Sequence, residues 1–593
     1  MTATVHYSIR PCSPQSHCFE IKLKVDKPAK KGQIFSLPAW IPGSYLIREF
    51  SRHIVSMQAS SAGKTVNLSK LDKHTWQADA VKDSLTLVYQ VYAYDLSVRG
   101  AYLDEERGFF NASSVFLAVA GRESEPCEVE ICSPKSKAFD TWKVASSLPV
   151  LDVKKSGFGR YRAENYDELL DHPVEMGDFQ ELAFKACGVP HRFVVSGQFR
   201  GDLKRLVRDT RKICEYQIKM FGTPAPFSQY VFMLYVGKDI YGGLEHRAST
   251  ALVANRDDLP MQGEEAISDG YLKLLGLISH EYFHSWNVKR IKPAAFSPYD
   301  LSREGYTRLL WAFEGITSYY DDLALLRSGL IDEKRYLGLL AQTISGVQRG
   351  AGRLKQTLEE SSFDAWTKYY RQDENSPNSI VSYYTKGALA ALALDLTIRQ
   401  RSKDKHSLDD VMRAMWNKWL NDGQGLAEDE WEQLAQQVCG LELKSFFDQA
   451  LRSTADLELQ PLLAAQGVDM QWDSADHAGD NGSVAAVTPG KSVRAYLGVK
   501  TAPDSLGLRV VNVFDGGPAQ QAGLAGGDVL IALDGLKMTE LDKALSRYRP
   551  GETVSLHVFR RDQLLLREAC LQEQPLCSCR LQLQEGGAAW LRG

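Results

Sequence analysis

The chain has little histidine, twelve residues in 593. It has no basic run or arginine-rich tail, so nothing in it points to nucleic acid. Its formal net charge of −4 selects no class of partner. The start, MTATVHYSIRPCSPQSHCFEIKLKV, lacks the basic residues and apolar core of a secretory signal. YSIR and FEIKLKV alternate instead, as strands do. The longest apolar run, GALAALALDL at 387–396, is too short for a bilayer and is broken by Asp395. Ten cysteines without finger-like spacing exclude a disulfide framework, and the Cys577–Cys579 pair reads as reduced thiols. The expectation is a soluble, cytoplasmic protein with no membrane and no nucleic-acid partner.

What is present is globular: 44% hydrophobic, 24% charged and 10% aromatic residues, enough for several cores. The length predicts three or four domains. Residues 1–190 alternate in stretches such as SLTLVYQVYAY and predict a β-rich domain, a sandwich or large curved sheet. Residues 191–472 begin mixed, with a helical DLKRLVRDTRKICEYQIKMFG, and become mainly helical. DSADHAGDNGSVAAVTPGKS at 473–492 reads as a boundary loop. Residues 485–575 form a compact β-rich module, and 576–593 a tail without readable pattern. The fold class is a multi-domain α+β protein.

One helix carries chemistry. In SDGYLKLLGLISHEYFHSW, Ser268 and Asp269 are good caps, and Leu272, Leu275, Ile278 and Tyr282 form a buried stripe. His280 and His284 are four residues apart, so both imidazoles leave the same face and reach one ion. Glu281 is turned by about 100° and is free to reach water. A catalytic zinc needs a third protein ligand. In YTRLLWAFEGITSYYDDLALL, Leu309, Leu310, Phe313, Ile316 and Leu323 predict a second amphipathic helix, with Glu314 among its apolar residues. A carboxylate there is costly unless paired. A metal is one partner, Arg308 another, and Glu304 is a weaker candidate ligand.

HEYFH followed by WAFEGITSYY resembles the gluzincin metallopeptidases, and the longer gap resembles the glycyl-aminopeptidase-type branch with a C-terminal PDZ domain. The resemblance implies a thermolysin-like catalytic domain, one Zn²⁺ per chain held by His280, His284 and Glu314, and peptide substrates. YGGLEHRAST at 241–250 resembles the exopeptidase motif, which would give Glu245 the substrate's α-amine. Gly242 and Gly243 would let substrate backbone approach. An ordinary salt bridge is the alternative for Glu245, and His246 reads as a packing residue. VSYYTKGALAALALDL resembles the segment whose tyrosine steadies the oxyanion, which implies Tyr384, with Tyr383 as the neighbouring candidate. AWIPGSYLIREF resembles the family's N-terminal domain, and its Pro42-Gly43 reads only as a turn.

In the C-terminal module, GLRVVNVF and GGDVLIALDG are strands, and GGPAQQAGL is a short helix opened by Pro518. The pattern resembles a PDZ domain. Tyr496, Leu497, Gly498 and Val499 match its carboxylate loop, which implies a C-terminal peptide ligand. Simple packing against the catalytic domain is the alternative. The expected function is a zinc aminopeptidase favouring small N-terminal residues, Gly or Ala, with Glu281 as general base. The competing readings are an endopeptidase with the same chemistry, a non-catalytic PDZ adaptor, and a metal hydrolase of non-peptide substrates.

Overall fold

The structure is a computed structural model that describes residues 5–477, 479–487 and 493–592. The boundary loop expected at 473–492 lies in part, at 478 and 488–492, outside the described residues. The chain divides into two compact units, 1–305 with 419–425, and 306–418 with 426–593.

The first unit opens on an eight-stranded sheet. Three adjacent inner strands are Val5–Ser13, Cys18–Val25 and Leu85–Tyr92. Strict alternation points Phe19, Ile21, Leu23 and Val25, and Leu85, Leu87, Tyr89 and Val91, to one face, all buried. Two four-stranded sheets accompany it. The core's tyrosines keep their hydroxyls satisfied by loop carbonyls: Tyr7 donates to Leu117 O (2.7 Å) and Tyr89 to Val115 O (2.8 Å).

The same unit then builds a five-stranded sheet in the order Gln180–Ala186, Val189–Ser196, Tyr230–Gly237, Ser249–Asn255, Gly242–Glu245. Val189–Ser196 and Tyr230–Gly237 are parallel, so the chain must cross over between them, and the helix Leu203–Phe221 makes that crossing. Gly242–Glu245 is the edge strand, hairpinned onto Ser249–Asn255. The helix Asp269–Phe283 packs on both. Ser268 caps it by accepting from Tyr271 N (3.1 Å), and the stripe Leu272, Leu275, Ile278, Tyr282 is buried.

The second unit is helical around Ile316–Arg327, Glu333–Arg349 and Thr385–Ser402. Asp395, which breaks the apolar run, is buried and satisfied by Tyr319 Oη (2.8 Å), Leu408 N (2.8 Å) and Arg399 Nε (3.2 Å). The C-terminal module is a β-sheet in the order Val499–Pro503, Leu508–Val513, Val529–Leu533, Thr553–Arg560, Gln563–Cys570, with a short helix Pro518–Gln521. The last residues, unreadable in the sequence, form a strand. Leu576–Leu583 pairs with Val468–Ser474, and Ser345 on the helix Glu333–Arg349 accepts from Cys579 N (2.8 Å). Cys577 and Cys579 are both buried there as free thiols. Among the described residues, no helix is long and apolar enough to cross a membrane.

Candidate active site

The histidine helix places His280 and His284 one turn apart, with ring centroids 4.6 Å from each other. His284 is buried, and its Nδ1 lies 2.7 Å from Asn287 O. A carbonyl only accepts, so Nδ1 carries the proton and the lone pair of Nε2 is left for a ligand bond. His284 caps the helix C-terminus, and the turn Ser285–Asn287 that follows brings the orienting carbonyl round. Glu245 and Glu281 are buried as well, and one ligand atom from each lies within 4.8 Å of the others and of His284. The cluster thus brings carboxylate and imidazole together out of water. The donor set of nitrogen and carboxylate oxygen suits zinc.

The glycines of the edge strand explain how close these groups come. A Cβ at Gly243 would sit 2.1 Å from Glu281 Oε1. Glycine at that position makes room for the carboxylate, whatever else it admits. Gly242 faces Arg99, whose Nη1 is 3.2 Å from where its Cβ would be. The turn after Glu245 is held from below by Asp171. Its carboxylate accepts from Arg247 N (2.7 Å) and pairs with Lys289 Nζ (2.7 Å). Burial alone would raise this carboxyl, but Lys289 and Arg247 hold it well below the ordinary range. His246 lies beside Asp171 (3.7 Å), and burial lowers its pKa to about 4, so it is neutral.

The segment AWIPGSYLIREF has a place that its sequence does not announce. Ser44 N donates to Ile41 O (3.1 Å), closing the expected turn, with Gly43 at φ +91°. A Cβ at Gly43 would lie 2.5 Å from both carboxylate oxygens of Glu245. The N-terminal domain therefore forms a wall of the Glu245 site. The nearest signal in the sequence is the Pro-Gly pair itself, which specifies a turn but not what the turn covers.

In the second unit, Glu314 is buried on a single π-helical turn, Trp311–Gly315, ahead of the helix Ile316–Arg327. Such turns widen a helix by one residue and recur at functional positions. Arg308 stacks over Phe363 (5.1 Å). Gly315 meets Gly387 backbone to backbone: a Cβ at Gly315 would be 2.6 Å from Gly387 Cα. That contact sets Glu314 beside the start of the helix Thr385–Ser402, and Tyr383, Tyr384 and Tyr369 gather there. Burial, and then the Glu314 charge, raise the Tyr384 phenol well above its ordinary pKa, so it stays a donor. Tyr370 Oη is 3.5 Å from Tyr384 Oη. Tyr383 is fully buried, whereas Tyr384 keeps surface exposed.

In the C-terminal module, Gly498 has φ +82°, which favours glycine. Leu497 O accepts from Ala519 N (2.8 Å) and Gly498 O from Phe514 N (2.9 Å). In a trans peptide the N–H points opposite the C=O. The amides of Gly498 and Val499 are thus turned away from the module's interior.

Comparison with known proteins decides the family. Residues 6–178 match the peptidase M61 N-terminal domain, 273–390 the M61 glycyl aminopeptidase, and 495–569 a PDZ domain. A crystal structure of an aminopeptidase N family protein from Idiomarina loihiensis is 43% identical, covers 99% of each chain and superposes with a TM-score of 0.94. The chain belongs to the M61 glycyl aminopeptidase family. It is an enzyme, a peptidase of aminopeptidase type. An M1 zinc metallopeptidase from Deinococcus radiodurans is 14% identical over 77% of this chain and 95% of its own, with a TM-score of 0.46. No curated protein matches the chain. For this M61 protein, HEYFH, WAFEG and YYTKG all fall inside the matched catalytic segment, while YGGLEHRAST lies upstream of it.

Proposed function

We propose that this protein removes small N-terminal residues, Gly or Ala, from peptides, using one zinc ion held by His280, His284 and Glu314. Zinc at that position supplies a Lewis acid that polarises a carbonyl and acidifies water. Asn287 O orients His284 for its ligand role. Glu281 takes the proton of the attacking water and passes it to the leaving amine. Gly243 leaves that carboxylate its space. Tyr384, kept protonated by burial and by Glu314, donates to the developing oxyanion. Glu245 binds the substrate's α-ammonium.

The observation that carries this reading is the closeness of Glu245, Glu281 and His284 in one buried cluster. A base alone needs one carboxylate. The second, lying against the Gly43 turn, suits a cation brought by the substrate. The same turn fills space beside Glu245 and supports a preference for small side chains. The C-terminal module is proposed to take the C-terminal carboxylate of a peptide on the amides of Gly498 and Val499.

The test is hydrolysis of Gly- and Ala-p-nitroanilide beside N-acetylated controls, with zinc measured on the same sample. The reading expects about one zinc per chain and cleavage of free-amine substrates only, lost in Glu281→Gln. Equal cleavage of the acetylated controls would make the enzyme an endopeptidase and Glu245 structural.

A further inference from the structure

The segment 369–384 leaves the tyrosine cluster and returns to it. Tyr369 and Tyr370 stand at one end, Tyr383 and Tyr384 at the other, and the rings of Tyr369 and Tyr383 lie 4.8 Å apart. Between them the chain runs out as a strap whose apex is 373–378. Asp373 closes the apex by accepting from Asn375 N (3.0 Å).

The apex is held by the PDZ domain. Asn378 is buried, and each polar atom of its side chain is used. Its Nδ2 donates to Val513 O (2.7 Å) and to Asn375 Oδ1 (3.1 Å), and its Oδ1 accepts from Asp515 N (3.0 Å). Asn512 Nδ2 donates to Glu374 O (3.0 Å). Lys355 and Asp515 form an ion pair at the edge of the contact. Gly526 admits Glu374, whose Cγ would be 2.7 Å from an added Cβ. The contact is thus built from directional bonds to backbone, which fix position better than apolar packing does.

Past the apex the strap is fixed again. Val381 N donates to Gln356 Oε1 (3.0 Å), and Val381 O accepts from Ser361 Oγ (2.5 Å). Two residues later come the tyrosines. A hydroxyl that stabilises an oxyanion must sit about 2.7–3.1 Å from where the charge develops. A displacement of about 1 Å costs such a donor most of its effect.

We infer that Asn378 is a positioning residue for Tyr384: through it the PDZ turn 512–515 holds the strap that delivers the phenol to the reacting carbonyl. The inference rests on the reading of Tyr384 as the oxyanion donor. Asn378 bonds to the PDZ turn and to Asn375 within the strap, and it acts on the rate through the strap.

The experiment uses the full-length chain and Gly-p-nitroanilide, with kcat and KM measured for the wild type, N378A, N512A, Y384F and N378A/Y384F, and zinc content and Tm followed throughout. N378A is expected to lower kcat by about five- to tenfold, the loss of two bonds to the PDZ backbone, with KM and zinc content nearly unchanged. N512A, which removes one bond, should lower kcat less. In the Y384F background N378A should add nothing, because the group it positions is gone. Equal loss from N378A in both backgrounds would overturn the inference and reduce Asn378 to a stability contact. So would unchanged kcat in both N378A and N512A. Y384F as active as the wild type would instead remove the Tyr384 assignment, and the inference with it.

Discussion

Replacing Glu245 by Gln tests the exopeptidase reading with little change of shape. The carboxylate lies against the Gly43 turn, where a Cβ would come within 2.5 Å of either oxygen, and an amide occupies the same volume. What is lost is charge. A hydrogen bond with an ionised partner contributes about 1.5–3 kcal/mol, against about 1 kcal/mol for a neutral one. Full Coulomb attraction between unit charges 4 Å apart is about 4 kcal/mol at an effective dielectric constant of 20, which bounds the effect from above. Glu245→Gln should therefore cost about 0.5–2 kcal/mol, the difference between the charged and the neutral bond, and lower kcat/KM for Gly-p-nitroanilide by about 2- to 30-fold, with zinc content unchanged. The ammonium is bound in both the ground state and the transition state, so most of the loss should appear in KM. Steady-state kinetics over a range of substrate concentrations, beside the N-acetylated substrate, is the assay. A fall of less than about twofold in kcat/KM would refute the reading, because replacing a charge-assisted bond by a neutral one should cost at least about 0.5 kcal/mol.

Tyr384→Phe should lower kcat by about 10²-fold or more, as removal of one oxyanion donor does, while Tyr383→Phe should not; steady-state kinetics of the two variants decides between them. Gly43→Ala places a side chain in the left-handed region and against Glu245, so it should cost about 1–2 kcal/mol in denaturant unfolding and impair kcat/KM for Ala- more than for Gly-p-nitroanilide. His191 is buried between Val189 O and Tyr282 Oη, and burial lowers its pKa to about 4 from an ordinary 6.5. A histidine with a depressed folded-state value contributes stability that is complete above pH 6.5 and is lost as pH falls through 4. That amounts to about 3 kcal/mol, seen as a fall in Tm from pH 7 to 4 that His191→Gln should flatten. A chelator should abolish turnover, and added Zn²⁺ should restore it.

The parts of the fold legible in the sequence are those fixed by neighbours along the chain. The alternation of Phe19, Ile21, Leu23 and Val25 is a period-two signal, and it became one buried sheet face. Ser268 and the stripe to Tyr282 fixed the histidine helix in place and in phase. The last strand was not legible, because Leu576–Leu583 takes its order from Val468–Ser474 and Ser345, far away in sequence. The π turn at Trp311–Gly315 was hidden for a different reason: the apolar period of an amphipathic helix runs through it almost unbroken.

The candidate site divides along the same line. H-E-x-x-H is a local motif, and its geometry follows from 3.6 residues per turn. The close approaches around it are not local. Gly43 lies 202 positions from Glu245, the carboxylate it touches, and Gly315 lies 72 positions from Gly387. In the sequence each of these glycines looks like the companion of its neighbours, Pro42, Glu314 or Lys386. In the fold each is defined by what a Cβ would strike. A glycine beside a catalytic motif is thus weak evidence for substrate access until the atom opposite it is known: at Gly243 that atom is Oε1 of Glu281, the proposed general base. Substituting Gly243 by Ala should therefore damage turnover by displacing Glu281, even for substrates small enough to leave the added methyl untouched, and loss of kcat with the smallest substrate, Gly-p-nitroanilide, separates displacement of the base from obstruction of the substrate.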